Sequence, residues 1–233
     1  MPKGITREAV VTAALELLDA EGIDAVTVRA LAARLGVRAP ALYWHIRNKQ
    51  ELLDEMSTTI LRRIRDALPA VGTGWRDDLA AYARALRAEY LLHRDGARVF
   101  SGAQITDPDV LRIKESWYRR WTEGGLTLGE ADDAIDLVVA FVVGFVIEEQ
   151  ERRQSADTDP TRYSVADRDA WLGEHASLVK EAVYRRDDGE QRFEHHLGIV
   201  LSGLAARHAR GPSGPEPPLP TRQRDPAPAA PGS

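Results

Sequence analysis

The chain has 233 residues, no cysteine, 43% hydrophobic and 29% charged residues, and a formal charge of −5. That length accommodates one large domain or two small ones, and the missing cysteines exclude a disulfide scaffold, a thiol nucleophile and a thiolate metal site. The longest apolar run, 137–147, has eleven residues against the roughly 18 a spanning helix needs, and MPKGITREAVV lacks an export core, so a cytoplasmic protein with no membrane contact is expected.

Apolar residues Ala9, Val10, Ala13, Ala14, Leu17 and Leu18 recur at helical spacing over 6–21, and Gly22 follows where helices commonly end. Thr27 caps a second short helix over 28–35, which Gly36 breaks. A third segment, 39–45, tolerates Pro40 in its first turn. Asn48 caps a longer helix from 49 to about 68. Pro69, Gly72 and Gly74 punctuate the next junction. Helices are then predicted over 75–92 and 109–123, separated by the polar HRDGAR stretch at 93–98. Thr127 caps the most apolar helix, 128 to about 154. Residues 155–164 read as a loop, 167–185 as one amphipathic helix, 187–189 as a turn and 190–208 as the last helix. Eight of the 13 prolines lie between Pro212 and Pro231, so the tail from 209 is expected to be disordered. The reading is all-α, with nine or ten helices, no strand and no internal repeat.

A charge of −5 points away from nucleic acid only if it is evenly spread. From 29 to 49 the chain carries Arg29, Arg34, Arg38, Arg47 and Lys49 and no acidic residue, so a +5 segment sits on a remainder of −10. Such asymmetry fits a local anionic partner, although a solvated basic face gives the same count. Within it, LAARLGVRAPALYWHI has the pattern of two short helices around a tight glycine turn, with Leu31, Ala32, Leu35, Val37 and Leu42 inward. Arg38, Ala39, Ala41, Tyr43, Trp44 and His45 are left facing outward, where a recognition helix meets the major groove. A run of exposed Tyr, Trp and His is unfavourable unless something covers it. Their polar groups can donate to phosphates, and Lys49 adds a cation at a helix start.

Residues 6–54 resemble the DNA-binding domain of the tetracycline-repressor (TetR) family of bacterial regulators, through ALELLDAEGIDAVTVRALAARLGV and APALYWHIRNKQELLD. At lower density, LLHRDGARVFSG (91–102), GGLTLGEADDA (124–134) and GFVIEEQE (144–151) resemble the C-terminal domain of the tetracycline-repressor subgroup. The resemblance implies a helix-turn-helix domain at 1–50, a ligand-binding and dimerisation domain at 51–208, and a tail at 209–233. It implies DNA contacts from Thr27, Arg29, Pro40, Tyr43, Trp44, His45 and Lys49. Ala39 and Ala41 stand where the tetracycline repressor has polar residues; alanine touches a thymine methyl but reads no base edge. Arg29, with Arg38, is therefore expected to carry more of the readout.

The resemblance also implies a homodimer on a double-stranded, palindromic operator, built by helices 128–154 and 190–208 with their symmetry mates. The residues support this independently. Leu137, Phe141 and Phe145, with Leu197, Val200, Leu201 and Leu204, give more apolar surface than one side can bury and are the expected interface. Burial within one subunit is the alternative.

In tetracycline repressors a histidine, a threonine and a distal glutamate handle the magnesium that accompanies the drug. The matching positions here carry Phe100, Ala103 and Glu148, so no cofactor is expected and a magnesium–tetracycline complex is not. Drug-contacting positions become Arg65, Tyr82 and Leu86. Ile64, Tyr82, Leu86, Phe100, Ala103, Trp117, Val138 and Val142 would suit a small, largely apolar or aromatic effector, with Arg65, Glu148 or Glu149 at its polar end. Each of these side chains reads equally well as plain core. HRDGAR lacks the other kinase motifs and matches the family's short helix between pocket and DNA-reading domain, against the connecting helix at 49–68; ligand binding is expected to move this stretch, Asp95 included, and swing that helix.

Glu194, His195 and His196 do not make a metal site, because neighbouring helix residues point apart. No catalytic motif stands out, so an enzyme is not expected. The expected function is a ligand-responsive DNA-binding transcriptional repressor. The alternatives are an activator or global regulator without small-molecule control, and an all-helical ligand-binding module or enzyme that does not bind DNA. The acid-free segment argues against the last.

Overall fold

The computed structural model describes residues 5–68, 72–184 and 189–210, and among these the regular structure is entirely helical. Side-chain caps start the N-terminal helices where the sequence puts them. Thr6 Oγ1 accepts from the Ala9 amide at 3.2 Å to open α1 (Arg7–Glu21), and Thr27 Oγ1 accepts from Ala30 at 3.2 Å to open α2 (Val28–Arg34). Between them, Gly22 ends α1 at φ +87°, a left-handed conformation that favours glycine, and leads into a 3-10 turn, Ile23–Ala25. The recognition segment is shorter than the expected 39–45. Its helix α3 (Ala39–Leu42) is a single turn, because the amides of His45 and Ile46 both converge on the Leu42 carbonyl at 2.9 Å and tighten the chain. Asn48 Oδ1 accepts from Glu51 at 2.8 Å to start α4 (Lys49–Ala67).

The larger part contains α5 (Trp75–Leu91), α6 (Gly96–Phe100), α7 (Pro108–Glu123), α8 (Leu128–Thr158), α9 (Val165–Leu172), α10 (Ser177–Tyr184) and α11 (Gly189–Ala209). A reciprocal capping box starts α8: Thr127 Oγ1 accepts from the Glu130 amide at 3.1 Å, and the Glu130 carboxylate accepts from the Thr127 amide at 2.8 Å.

Two expectations change here. The predicted loop from 155 is helical to Thr158, since polar composition alone does not end a helix and no breaker occurs before Pro160. The single helix expected over 167–185 is two helices, divided at Gly173, which adopts φ +63°. Residue 185, the turn residues Asp187 and Asp188, Pro69 and the tail from 211 lie outside the described residues.

The larger core forms where α5 meets α8. Leu79, Ala83, Leu86 and Tyr90 recur every three or four residues on α5, as do Ile135, Val138, Val142 and Val146 on α8, and all are fully buried. Phe193 and Leu197 of α11 close the same core. A second core, including Val10, Leu18, Leu31, Leu42 and Ile46, holds the N-terminal helices together. α4 joins the two: Arg7 of α1 pairs with its Glu51 and Glu55, while its Arg63 reaches Glu89 of α5. Among the described residues, no helix is long and apolar enough to cross a membrane.

Candidate functional site

The DNA-reading face follows from the packing of α2 on α3. Burying Leu31, Ala32 and Leu42, with Leu35 and Val37 half-buried, leaves Arg29, Arg38, Pro40, Tyr43 and Trp44 exposed. Trp44 is 90% exposed and Tyr43 54%, an arrangement that leaves large aromatic surface in water unless a partner covers it. Ala39, Ala41 and His45 are partly covered. Thr27 is exposed, with its hydroxyl committed to the cap.

The five cations are not equivalent. Arg34 is held by Glu16 at 3.0 Å and Arg47 by Glu51 at 3.1 Å. Lys49 Nζ donates to the Ile23 carbonyl at 3.2 Å and braces the 3-10 turn. Among the described residues, Arg29 and Arg38 are exposed and have no acidic partner, so the available charge of the segment rests with them. The Glu51 carboxyl is held below its ordinary range, chiefly by the Arg47 amide at 2.7 Å and further by the guanidinium groups of Arg47 and Arg7.

Behind this face lies the core expected to meet an effector. Ile64, Leu86, Trp117, Val138 and Val142 are buried, Tyr82 meets Trp117 edge-on at 5.2 Å, and the Phe100 ring lies 5.6 Å from that of Tyr90. Ala103 is half-buried after α6. The proposed charged handles do not join them. Arg65 pairs with its neighbour Asp66 at 2.8 Å, and Glu148 points outward with 73% of its side chain exposed. Glu149 is buried but engaged by Arg87 at 2.9 Å and by Arg153. A phenyl ring at 100 and a methyl at 103 offer no oxygen donor to a magnesium ion, whose ligands are oxygens. Among the described residues no cluster of three acidic or histidine side chains is placed to hold a metal.

The expected dimer residues also divide. Leu137 is 50% exposed, and Phe141 and Phe145 are partly exposed on α8 while packing against Phe193 of α11 at 5.6 and 5.3 Å, with Val200 and Leu204 half-buried on α11. Leu197 and Leu201 instead face their own subunit, at 1% and 7% exposure, and so offer no surface to a second copy. Ile199, at 58%, is the exposed side chain the sequence reading passed over.

A hydrogen-bonded junction connects the two cores. The Asp95 carboxylate accepts from the Ile23 amide at 2.8 Å, immediately below the DNA-reading helices. His93 Nδ1 meets Asp19 of α1 at 2.9 Å and its Nε2 meets Arg63 of α4 at 3.1 Å. From α8, Gln150 Nε2 donates to the carbonyls of Tyr90 at 2.8 Å and His93 at 2.6 Å, while Gln154 Nε2 donates to that of Arg94 at 2.6 Å. A side chain at Gly22 would meet Asp95 at 3.0 Å. Asp95 was legible in the sequence; Asp19, Gln150 and Gln154 were not singled out. The available signal was Gln150, a polar residue on the buried stripe that contains Val138, Val142 and Val146.

Comparison with known proteins agrees with this geometry. Residues 10–56 match the bacterial regulatory proteins of the tetR family, and residues 68–208 match the tetracyclin repressor-like C-terminal domain. The Escherichia coli tetracycline repressor protein class D is 40% identical over 204 residues, spanning 86% of this chain and 89% of that protein. A crystal structure of a TetR variant from Acinetobacter baumannii AYE in complex with minocycline is 31% identical with a TM-score of 0.66, covering 87% of this chain and 98% of that one. A crystal structure of BioQ with its natural double-stranded DNA operator is 30% identical with a TM-score of 0.62, covering 87% and 99%. A helix-turn-helix face on an all-helical effector domain defines a DNA-binding transcription factor rather than an enzyme. The chain belongs to the TetR family of bacterial regulatory proteins, as a transcriptional repressor with a ligand-binding C-terminal domain.

Proposed function

We propose that this chain is a cytoplasmic homodimeric repressor that holds a palindromic operator and is released by a small, largely apolar or aromatic molecule. The observation that carries the reading is the set of hydrogen bonds from the Tyr90 carbonyl through Gln150 and His93, and from Asp95, to Asp19 and Ile23 beneath the DNA-reading helices. Residues 1–50 read DNA, with Arg29 and Arg38 meeting base edges and Tyr43, Trp44, His45 and Lys49 meeting the backbone. Residues 51–208 bind the effector and dimerise.

The dimer face is the outward stripe Leu137, Phe141 and Phe145 of α8 with Ile199, Val200 and Leu204 of α11. Glu148 continues that stripe, eleven residues or about three turns beyond Leu137, so it meets an effector only across the two-fold axis. Two-fold symmetry sets the recognition helices about 34–36 Å apart, the spacing of half-sites one turn apart. An effector lodged beside Phe100 displaces α6, loosens Asp95 from Ile23 and changes that separation. Such coupling requires the effector to bind the DNA-incompetent arrangement more tightly.

The test uses full-length protein on labelled DNA taken from upstream of its own gene, titrated with small aromatic molecules. Release is expected for at least one. In Asp95→Ala the same molecule should bind yet release DNA poorly; normal release by that variant would overturn the relay.

A further inference from the structure

None of the charged groups expected at the effector's polar end reaches the core, but two phenols and a hydroxyl do. Tyr90 is fully buried on α5, and among the described residues its hydroxyl has no hydrogen-bond partner. Tyr82, about two turns earlier on the same helix, packs edge-on against Trp117. Ser57 Oγ is also buried without a partner, and three- and four-residue steps put it on the face of α4 that carries Ile60 and Ile64.

Burial pushes the Tyr82 phenol up to about 12, and that of Tyr90 well above its ordinary value. Both therefore remain protonated donors near neutral pH. The charged side chains that border the core are engaged with one another, Arg87 with Glu149 and Arg120 with Asp78, although Arg120 Nε has no partner among the described residues. An anionic ligand would have to compete with Asp78 and Glu149 for those guanidinium groups, and a cationic one with the guanidinium groups for the carboxylates. A pure hydrocarbon would leave the Tyr90 hydroxyl without an acceptor in an apolar setting, which is unfavourable.

We propose that the effector is a neutral aromatic ketone or quinone whose carbonyl oxygen accepts a hydrogen bond from Tyr90, with its rings against Phe100, Tyr82 and Trp117. This rests on the ligand-responsive reading and names the ligand chemistry and its anchor. Because the Tyr90 carbonyl accepts from Gln150, a ligand held at Tyr90 acts directly on the junction to the DNA-reading domain.

Fluorenone and fluorene, shaped alike and differing in the ketone oxygen, are suitable probes, with binding to the full chain followed by tryptophan fluorescence. Fluorenone should bind at least about tenfold more tightly, and Tyr90→Phe should reduce that preference to about one while leaving fluorene affinity unchanged. Equal affinities in the wild type, no binding of either probe, or an undiminished preference in Tyr90→Phe would overturn the proposal. Should that variant fail to fold, the carbonyl infrared band of wild-type-bound fluorenone decides: a downward shift supports the hydrogen bond and an unshifted band overturns it. Labelled operator in the same titration separates the two claims. Tyr90-dependent fluorenone binding without DNA release overturns the release reading and supports the site; release by another compound regardless of Tyr90 does the reverse.

Discussion

At the scale of single residues, the proposed DNA contacts divide into side chains that would select a sequence and side chains that would hold the backbone. Among the described residues Arg29 and Arg38 have no acidic partner, and Ala39 and Ala41 cannot hydrogen-bond a base. An arginine bidentate to guanine is worth about 1–3 kcal/mol of discrimination. Arg29→Ala should therefore weaken operator binding roughly 5- to 150-fold while random DNA is affected less, as read by fluorescence anisotropy; equal losses would place Arg29 on the phosphates. Glu51 makes a pH prediction. Its carboxyl titrates below its ordinary value of 4.5, so its stabilising contribution is present above that value and is lost as pH falls through the lowered one. Acid unfolding should begin less steeply in Glu51→Gln, and melting temperature between about pH 3 and pH 7 checks this. The residue scale also shows why the sequence misled on polar handles. Successive helix positions turn by about 100°, so Glu148 and Glu149 lie on different faces, and only packing decides which is buried.

At the scale of elements, caps were legible and breaks were less so. Thr27, Asn48 and Thr127 each bond an amide three residues on, a local event that the sequence carries in full, and Thr6 does the same although helical spacing alone places it within the helical stretch itself. Gly173 sits inside an amphipathic pattern, and a helical glycine costs only about 1 kcal/mol relative to alanine, so periodicity did not reveal the break. The α8 stripe was clear, but the assignment of α11 faces was not: Leu197 and Leu201 satisfy the same spacing as Val200 and Leu204 and differ only in what they meet. The junction between α1, α6 and α8 depends on contacts more than fifty residues apart, which no local pattern encodes. Gly22→Ala should strain that junction twice, through a φ of +87° and a close approach to Asp95. A stability loss of about 1–3 kcal/mol is expected, measured by denaturant melts. Pairing Leu137→Asp with Ile199→Asp should convert dimer to monomer in analytical ultracentrifugation; an unchanged sedimentation coefficient would move the interface elsewhere.

At the scale of the whole molecule, a charge of −5 is the sum of an acidic body and a basic reading head. Local ion pairs narrow that head further by engaging Arg34 and Arg47, while Tyr43 and Trp44 stay exposed. The body then repels DNA everywhere except at the recognition helices, which favours a defined docking orientation over diffuse attraction. The most direct test is selection of binding sites from random duplexes by the full-length protein at several salt concentrations. A palindromic site, a specificity ratio of roughly 10³ or more over random DNA and a steep loss of affinity with salt are expected. Retained DNA with no sequence preference would contradict this expectation.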